Sequence, residues 1–115
     1  MQIEIHRIYE RPLPSGYRVL VDRLWPRGIS KKDVDLDAHW TDCAPSDGLR
    51  KWFSHDPVKW ADFRKKYLHE LSQNRERVRV LLEGVGKDKL VLLYGAKDEA
   101  HTHARVLKEY LEKLK

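Results

Sequence analysis

Apolar residues along this chain fall into two kinds of pattern. Ile3, Ile5 and Ile8 are separated by polar positions, which predicts a first strand over residues 2–8 that is only half buried. Val19-Leu20-Val21 and Leu90-Val-Leu-Leu-Tyr94 are continuous apolar runs, the pattern of strands buried on both faces. They predict strands at about 17–23 and 90–94. Residues 10–16, ERPLPSG, hold two prolines and a Ser-Gly and read as a loop. Ser30 opens a capping box with Asp33, so a short helix starts at 30, and Trp40-Thr41 reads as a short edge strand.

Helical spacing takes over in the middle of the chain. Ser46 is placed to cap a helix carrying Leu49, Trp52 and Phe53 on one side, and Asp56-Pro57 to open a long helix with Trp60, Phe63, Tyr67 and Leu71 inward. Asn74 breaks or bends that helix. Val78, Leu81, Leu82 and Val85 form the next stripe, closed by Gly84 and Gly86. A last helix is expected over about 99–114. This order predicts a single α/β domain over residues 1–115, with a small, mostly parallel sheet of about three or four strands packed with helices. The helical passage between the two buried strands permits a parallel crossover, which would put their carboxyl ends on one edge.

Composition changes this picture little. The 115 residues are 41% apolar and 36% charged, with 23 Lys plus Arg against 18 Asp plus Glu, a net charge of +5. That excess admits an anionic partner without demanding one. A lone cysteine, Cys43, excludes an internal disulfide framework and a Cys-rich metal site, and fits a cytoplasmic protein. The N-terminus has no apolar core of signal-peptide length, and no run is long enough to span a membrane. Glycine-rich phosphate motifs, C-x-x-C and H-E-x-x-H are missing, so no metal, flavin or nicotinamide site is indicated.

The candidate chemistry sits where the first buried strand stops. Val19-Leu-Val-Asp-Arg-Leu-Trp-Pro-Arg-Gly28 puts Asp22, Arg23, Trp25 and Arg27 just beyond it. In open α/β sheets, ligands bind beyond the carboxyl ends of the strands. If the two buried strands are parallel, these residues face Tyr94, Lys97 and the start of the last helix, near His103. Arg23, Arg27 and Lys97 would hold an anion, Trp25 would offer a stacking face, and Tyr94 lies beside them. Asp22 would orient an arginine or act as a base, and His103 would donate a proton if catalysis follows binding. The plain alternatives are that Asp22 pairs with Arg23 or Arg18, that Trp25 simply covers the strand end, and that His103 is satisfied at a helix start. Trp52 and Trp60 read as core. Arg50 and His55 flank Trp52-Phe53 and read as a solvated face. Cys43 has no arginine loop beside it, which leaves thiolate chemistry without a nucleophile.

RVLVDRLWPRG at 18–28, PSDGLRKWFSHDP at 45–57 and LVLLYGAKDEAHTHARVL at 90–107 resemble the small prokaryotic YeaO-like branch of domain-of-unknown-function family 488. The resemblance covers nearly the whole chain. It implies a compact α/β domain and brings no established activity. Longer relatives carry a cysteine where this chain has Tyr94, and a Cys-His pair where it has Thr102-His103; of these only His103 carries over. Gly95 stands where the branch's motif often reads serine, while Lys97 is kept.

Three functions stay open on these residues. The first is binding of an anionic small molecule, phosphate or nucleotide, at the carboxyl edge of the sheet, with or without chemistry. The second is a nucleic-acid-binding module built on Arg18, Arg23, Arg27, Lys31 and Lys32 and on the basic helix 64–79. The third is an interaction or structural protein whose charged turn is an internal salt-bridge network.

Overall fold

The computed structural model describes all 115 residues. Its centre is a four-stranded, wholly parallel sheet in the order β1-β4-β2-β3. The strands are β1 (Gln2–Arg7), β2 (Tyr17–Leu20), β3 (Ala38–His39) and β4 (Lys89–Tyr94). β4 takes the middle because both of its faces are apolar: Leu90, Val91, Leu92 and Leu93 are all fully buried. It pairs with β1 along its length, Ile3 opposite Leu90 and Ile5 opposite Leu92, and with β2, Val19 opposite Leu92. The two apolar runs are therefore adjacent parallel strands, the arrangement that the helical passage between them permits. The edge strand β3 falls at Ala38–His39, two residues before the predicted Trp40-Thr41, because Trp40 turns inward and is buried.

The helices are α1 (Lys31–Val34), α2 (Asp47–Phe53), α3 (Trp60–Gln73), α4 (Arg75–Glu83) and α5 (His103–Leu114). Ser30 and Ser46 cap α1 and α2 as their positions predict, accepting from Lys32 N–H and Leu49 N–H. The Asp56 carboxylate accepts from Val58 N–H and starts a short 3-10 turn that leads into α3. Asn74 separates α3 from α4. The last helix starts at His103, four residues later than expected. The Asp98 carboxylate caps only a turn, accepting from Ala100 N–H and His101 N–H, and Thr102 is the real cap.

The sheet has unequal covers. Ile3, Val19, Val21, Leu90, Leu92 and Tyr94 pack against apolar side chains of α2 to α5 in one large core. On the other face Leu20, Val91 and Leu93 pack with Ile8 and with Val34 of α1 and are roofed by Leu13, Trp25, Ile29 and Leu36 from loops. A parallel sheet needs both faces covered; here loops and one short helix cover the second. No helix is long and apolar enough to cross a membrane.

Candidate functional site

The carboxyl ends of β2 and β4 share one edge, and the site is built there. Val21 continues the pairing past β2, donating its N–H to Leu93 O at 3.0 Å. Asp22 follows, and its carboxylate turns toward β4. Asp22 Oδ2 accepts the Gly95 N–H at 2.9 Å. A Cβ at position 95 would sit 3.0 Å from that same oxygen, so glycine leaves the room the carboxylate occupies. His103, the first residue of α5, donates Nε2–H to Val21 O at 3.0 Å and brings the same nitrogen to 3.4 Å from Asp22 Oδ1. His39 donates from Nε2 to the Asp22 carbonyl at 2.6 Å. One acid thus ties together β2, β3, β4 and α5. Burial pushes its pKa up, against the opposing pull of His103, the Gly95 N–H, His39 and His55.

Beyond Asp22 the chain turns over a cleft of 340 Å³. That lies at the small end of the roughly 300–1,000 Å³ typical of ligand pockets. One wall is aromatic. Phe53 stacks on Phe63 with centroids 4.3 Å apart, and three histidines lie against aromatic rings: His55 on Phe53, His101 on Trp60 and His103 on Tyr67. The opposite lip is Leu24, 65% exposed, with Trp25, whose indole N–H is held by Ile29 O at 2.6 Å. Two arginines line the cleft, Arg23 and Arg50. Arg23 Nη2 donates to Pro45 O at 3.1 Å, while its Nε–H is shut off from solvent and has no hydrogen-bond partner. Asp47 Oδ1 stands 3.7 Å from that Nε and 3.3 Å from Arg50 Nη2. The Asp98 carboxylate holds His101 Nδ1 at 2.7 Å, and this bond keeps the Asp98 carboxyl below the usual range.

Four of the residues expected at the site, Asp22, Arg23, Trp25 and His103, line this cleft. Arg27 and Lys97 do not line it. Both are exposed on flanking loops, and Arg27 contributes its carbonyl to the Tyr9 hydroxyl at 2.7 Å. Tyr94 is buried in the main core and borders a separate hollow with Arg7, Glu99 and Arg105; burial raises the pKa of its phenol. The pairing of Asp22 with Arg23 or Arg18 does not form. Arg18 spends its guanidinium on the carbonyls of Pro14 and Leu13.

The cleft also holds Arg50 and His55, which the sequence reads as a solvated face, and His101, which it does not single out. Arg50 and His55 reach it because α2 and the following turn fold back over the sheet edge, a long-range event without a local signature. Only their position around the Phe53 anchor hinted at it.

Nucleophiles are scarce around the cleft. Thr102 is buried, and its Oγ1 accepts the Ala104 N–H as the cap of α5. Cys43 is buried outside the cleft, and its thiol is pushed up to about 12, chiefly by burial and then by Asp42. No group of three or more His, Cys, Asp or Glu side chains is placed to hold a metal ion.

Comparisons with known proteins agree with the resemblance seen in the motifs. The chain is 44% identical over 115 residues to the uncharacterized protein YeaO of Escherichia coli, covering 99% of this chain and 100% of that one. It is 34% identical over 111 residues to the uncharacterized protein Mb3100c of Mycobacterium bovis, covering 96% of this chain and 93% of the other. An uncharacterized protein of Mycobacterium tuberculosis, Rv3073c, matches at the same 34%. No solved structure matches. A family model described as "Inactive DUF488-N3 subclade" matches residues 2–115, so this α/β chain, with its charged network at the sheet edge, belongs to that subclade.

Proposed function

We propose that the chain is a binding module whose cleft takes a small anion carrying a planar ring, a nucleotide or a compound of like shape. The observation that carries this reading is the charge balance of the cleft wall. Arg23, Arg50 and three histidines line it with one carboxylate, Asp22, which is already engaged by Gly95 N–H and His103. Asp47 approaches both arginines and is 63% exposed, so an incoming anion can take its place at little cost. The Phe53–Phe63 wall and the Trp25 lip supply apolar surface for a ring. Arg27 and Lys97, outside the wall, add to the positive field that draws an anion in.

The same wall argues for binding without turnover. His103 spends its Nε2 proton on a backbone carbonyl, and the Thr102 hydroxyl is used as a helix cap. Asp22 and His103 then position the edge of the sheet, and the family's description as inactive supports this.

Thermal unfolding of the wild type and Arg23→Ala, with inorganic phosphate and with nucleoside monophosphates, tests the proposal. A ligand at 100 times its dissociation constant stabilises by about 2.7 kcal/mol. We expect that stabilisation in the wild type and its loss in Arg23→Ala. The internal-network reading has its own support, because Arg23 bridges Pro45 and Asp47. It expects Arg23→Ala to melt lower and neither protein to respond to any ligand, an outcome that would sink the anion site.

A further inference from the structure

A second groove, of 570 Å³, runs between α2 and α3 and shares no residue with the cleft. Leu49 and Trp52 line it from α2; Lys65, Lys66 and His69 line it from α3. The sequence places Trp52 in the core, but the structure leaves it 38% exposed. Two ammonium groups flank its indole, Lys59 at 5.2 Å and Lys66 at 5.1 Å from the ring centroid. The groove's one carboxylate, Glu70, is spent: it accepts Ser46 N–H at 2.9 Å and Ser46 Oγ–H at 2.5 Å.

Three other cations of α3 and α4 are neutralised, while Arg75 is not paired. Arg64 pairs with Glu109, Arg77 with Asp42 and Arg79 with Glu76. Lys59, Lys65 and Lys66 form no ion pair. Three unpaired ammonium groups, Lys59, Lys65 and Lys66, therefore lie in or beside the groove that exposes the Trp52 ring.

We propose that this groove docks single-stranded nucleic acid, with Trp52 as the stacking platform and Lys65 and Lys66 on the phosphates. Charge complementarity selects a polyanion. The choice among polyanions rests on the aromatic. Proteins that hold single strands combine a basic groove with an aromatic side chain on which a base stacks. An acidic amphipathic helix would need an apolar trough, and Leu49 and Trp52 are the only large apolar side chains lining the groove. A duplex hides its ring faces, whereas a single strand offers them. A base settling on Trp52 displaces one ammonium from the ring, and that lysine is then free to pair with the adjacent phosphate.

Fluorescence anisotropy of a labelled ten-nucleotide oligothymidylate with the full chain tests this, over a range of salt. Wild-type affinity should fall steeply with salt. Lys65→Gln/Lys66→Gln should bind more weakly, with a log–log salt slope smaller by about 1.4, since each phosphate neutralised on a single strand contributes roughly 0.7. Trp52→Leu should lose on the order of ten-fold with its salt slope unchanged. Arg23→Ala should bind as the wild type does, which separates this groove from the cleft. Both lysines are exposed, so the double variant should melt where the wild type does. No binding at low salt overturns the proposal. So do variants that bind like wild type, or polyglutamate competing as well as the oligonucleotide while Trp52→Leu costs nothing; that last result would mark an acidic protein partner.

Discussion

Asp22 is a carboxylate held by a glycine N–H and a histidine at the end of a buried strand, with burial opposing its charge. Its folded pKa lies above the unfolded value of 3.8, so the folded state binds more protons across the interval between the two. Stability that Asp22 contributes is then fully present below that unfolded value and is lost as pH rises through the raised one. Chemical denaturation at a series of pH values should show this decline in the wild type and a flatter profile in Asp22→Asn. Identical profiles would mean the carboxylate is better solvated than its surroundings indicate. Gly95 tests the same geometry from the other side. Ala at 95 puts its Cβ 3.0 Å from Asp22 Oδ2, and the carboxylate cannot retreat without leaving His103. Gly95→Ala should cost about 1–3 kcal/mol, the usual price of overpacking. At this scale the sequence was informative next to the strand end, where Asp22, Arg23 and Trp25 are fixed by the strand before them. It reads Arg50 as part of a solvated face and does not single out His101, and both enter the cleft only through the packing of distant segments.

Single capping residues decide where the helices begin, and most were readable. Ser30, Ser46 and Asp56 all accept from the N–H groups their positions imply. The start of α5 was misplaced because Asp98 and Thr102 are both competent caps four residues apart. A side-chain carboxylate that bonds nearby N–H groups stabilises a turn as readily as a helix. The choice falls on Thr102 because His103 must lie at the sheet edge to reach Val21 O. Ser46 does more than its sequence position suggests. Its Oγ accepts the Leu49 N–H at 3.2 Å while donating to Glu70 of α3. It is a cap and also a link between two helices. Ser46→Ala should therefore destabilise by about 1–2 kcal/mol, toward the upper end for a cap, in urea titrations. Adding Glu70→Gln should cost less than the two single losses summed, because both remove one shared bond. Strict additivity would show that Glu70 and Ser46 act separately.

The whole molecule is a parallel sheet with a thick cover on one face and a thin one on the other. The sequence showed which strands are central, because a strand buried on both faces needs a continuous apolar run; β1 alternates and lies at an edge. It did not show that α2 to α5 all settle on one face, since helical stripes do not say which side of a sheet they meet. Alternate residues of β4 sample the two covers under the same backbone. Leu92 points into the large core beneath the helices, and Leu93 into the small cluster roofed by loops. Both are fully buried, so burial alone predicts equal costs for truncation to alanine, within about 2–5 kcal/mol. The cost of a cavity depends on whether its surroundings can collapse into it. Helices crossing a sheet are locked by many contacts along their length, whereas the loop side chains Leu13, Trp25 and Ile29 can shift by small backbone adjustments. Leu92→Ala should then lose more than Leu93→Ala in chemical denaturation, with the difference exceeding about 1 kcal/mol. The thin cover also carries the Trp25 lip of the cleft, so Leu93→Ala should weaken ligand binding at that lip while Leu92→Ala leaves it intact at temperatures where both are folded. Equal losses in stability would mean that the loop layer is packed as rigidly as the helical one, and that the lip is a fixed wall of the cleft.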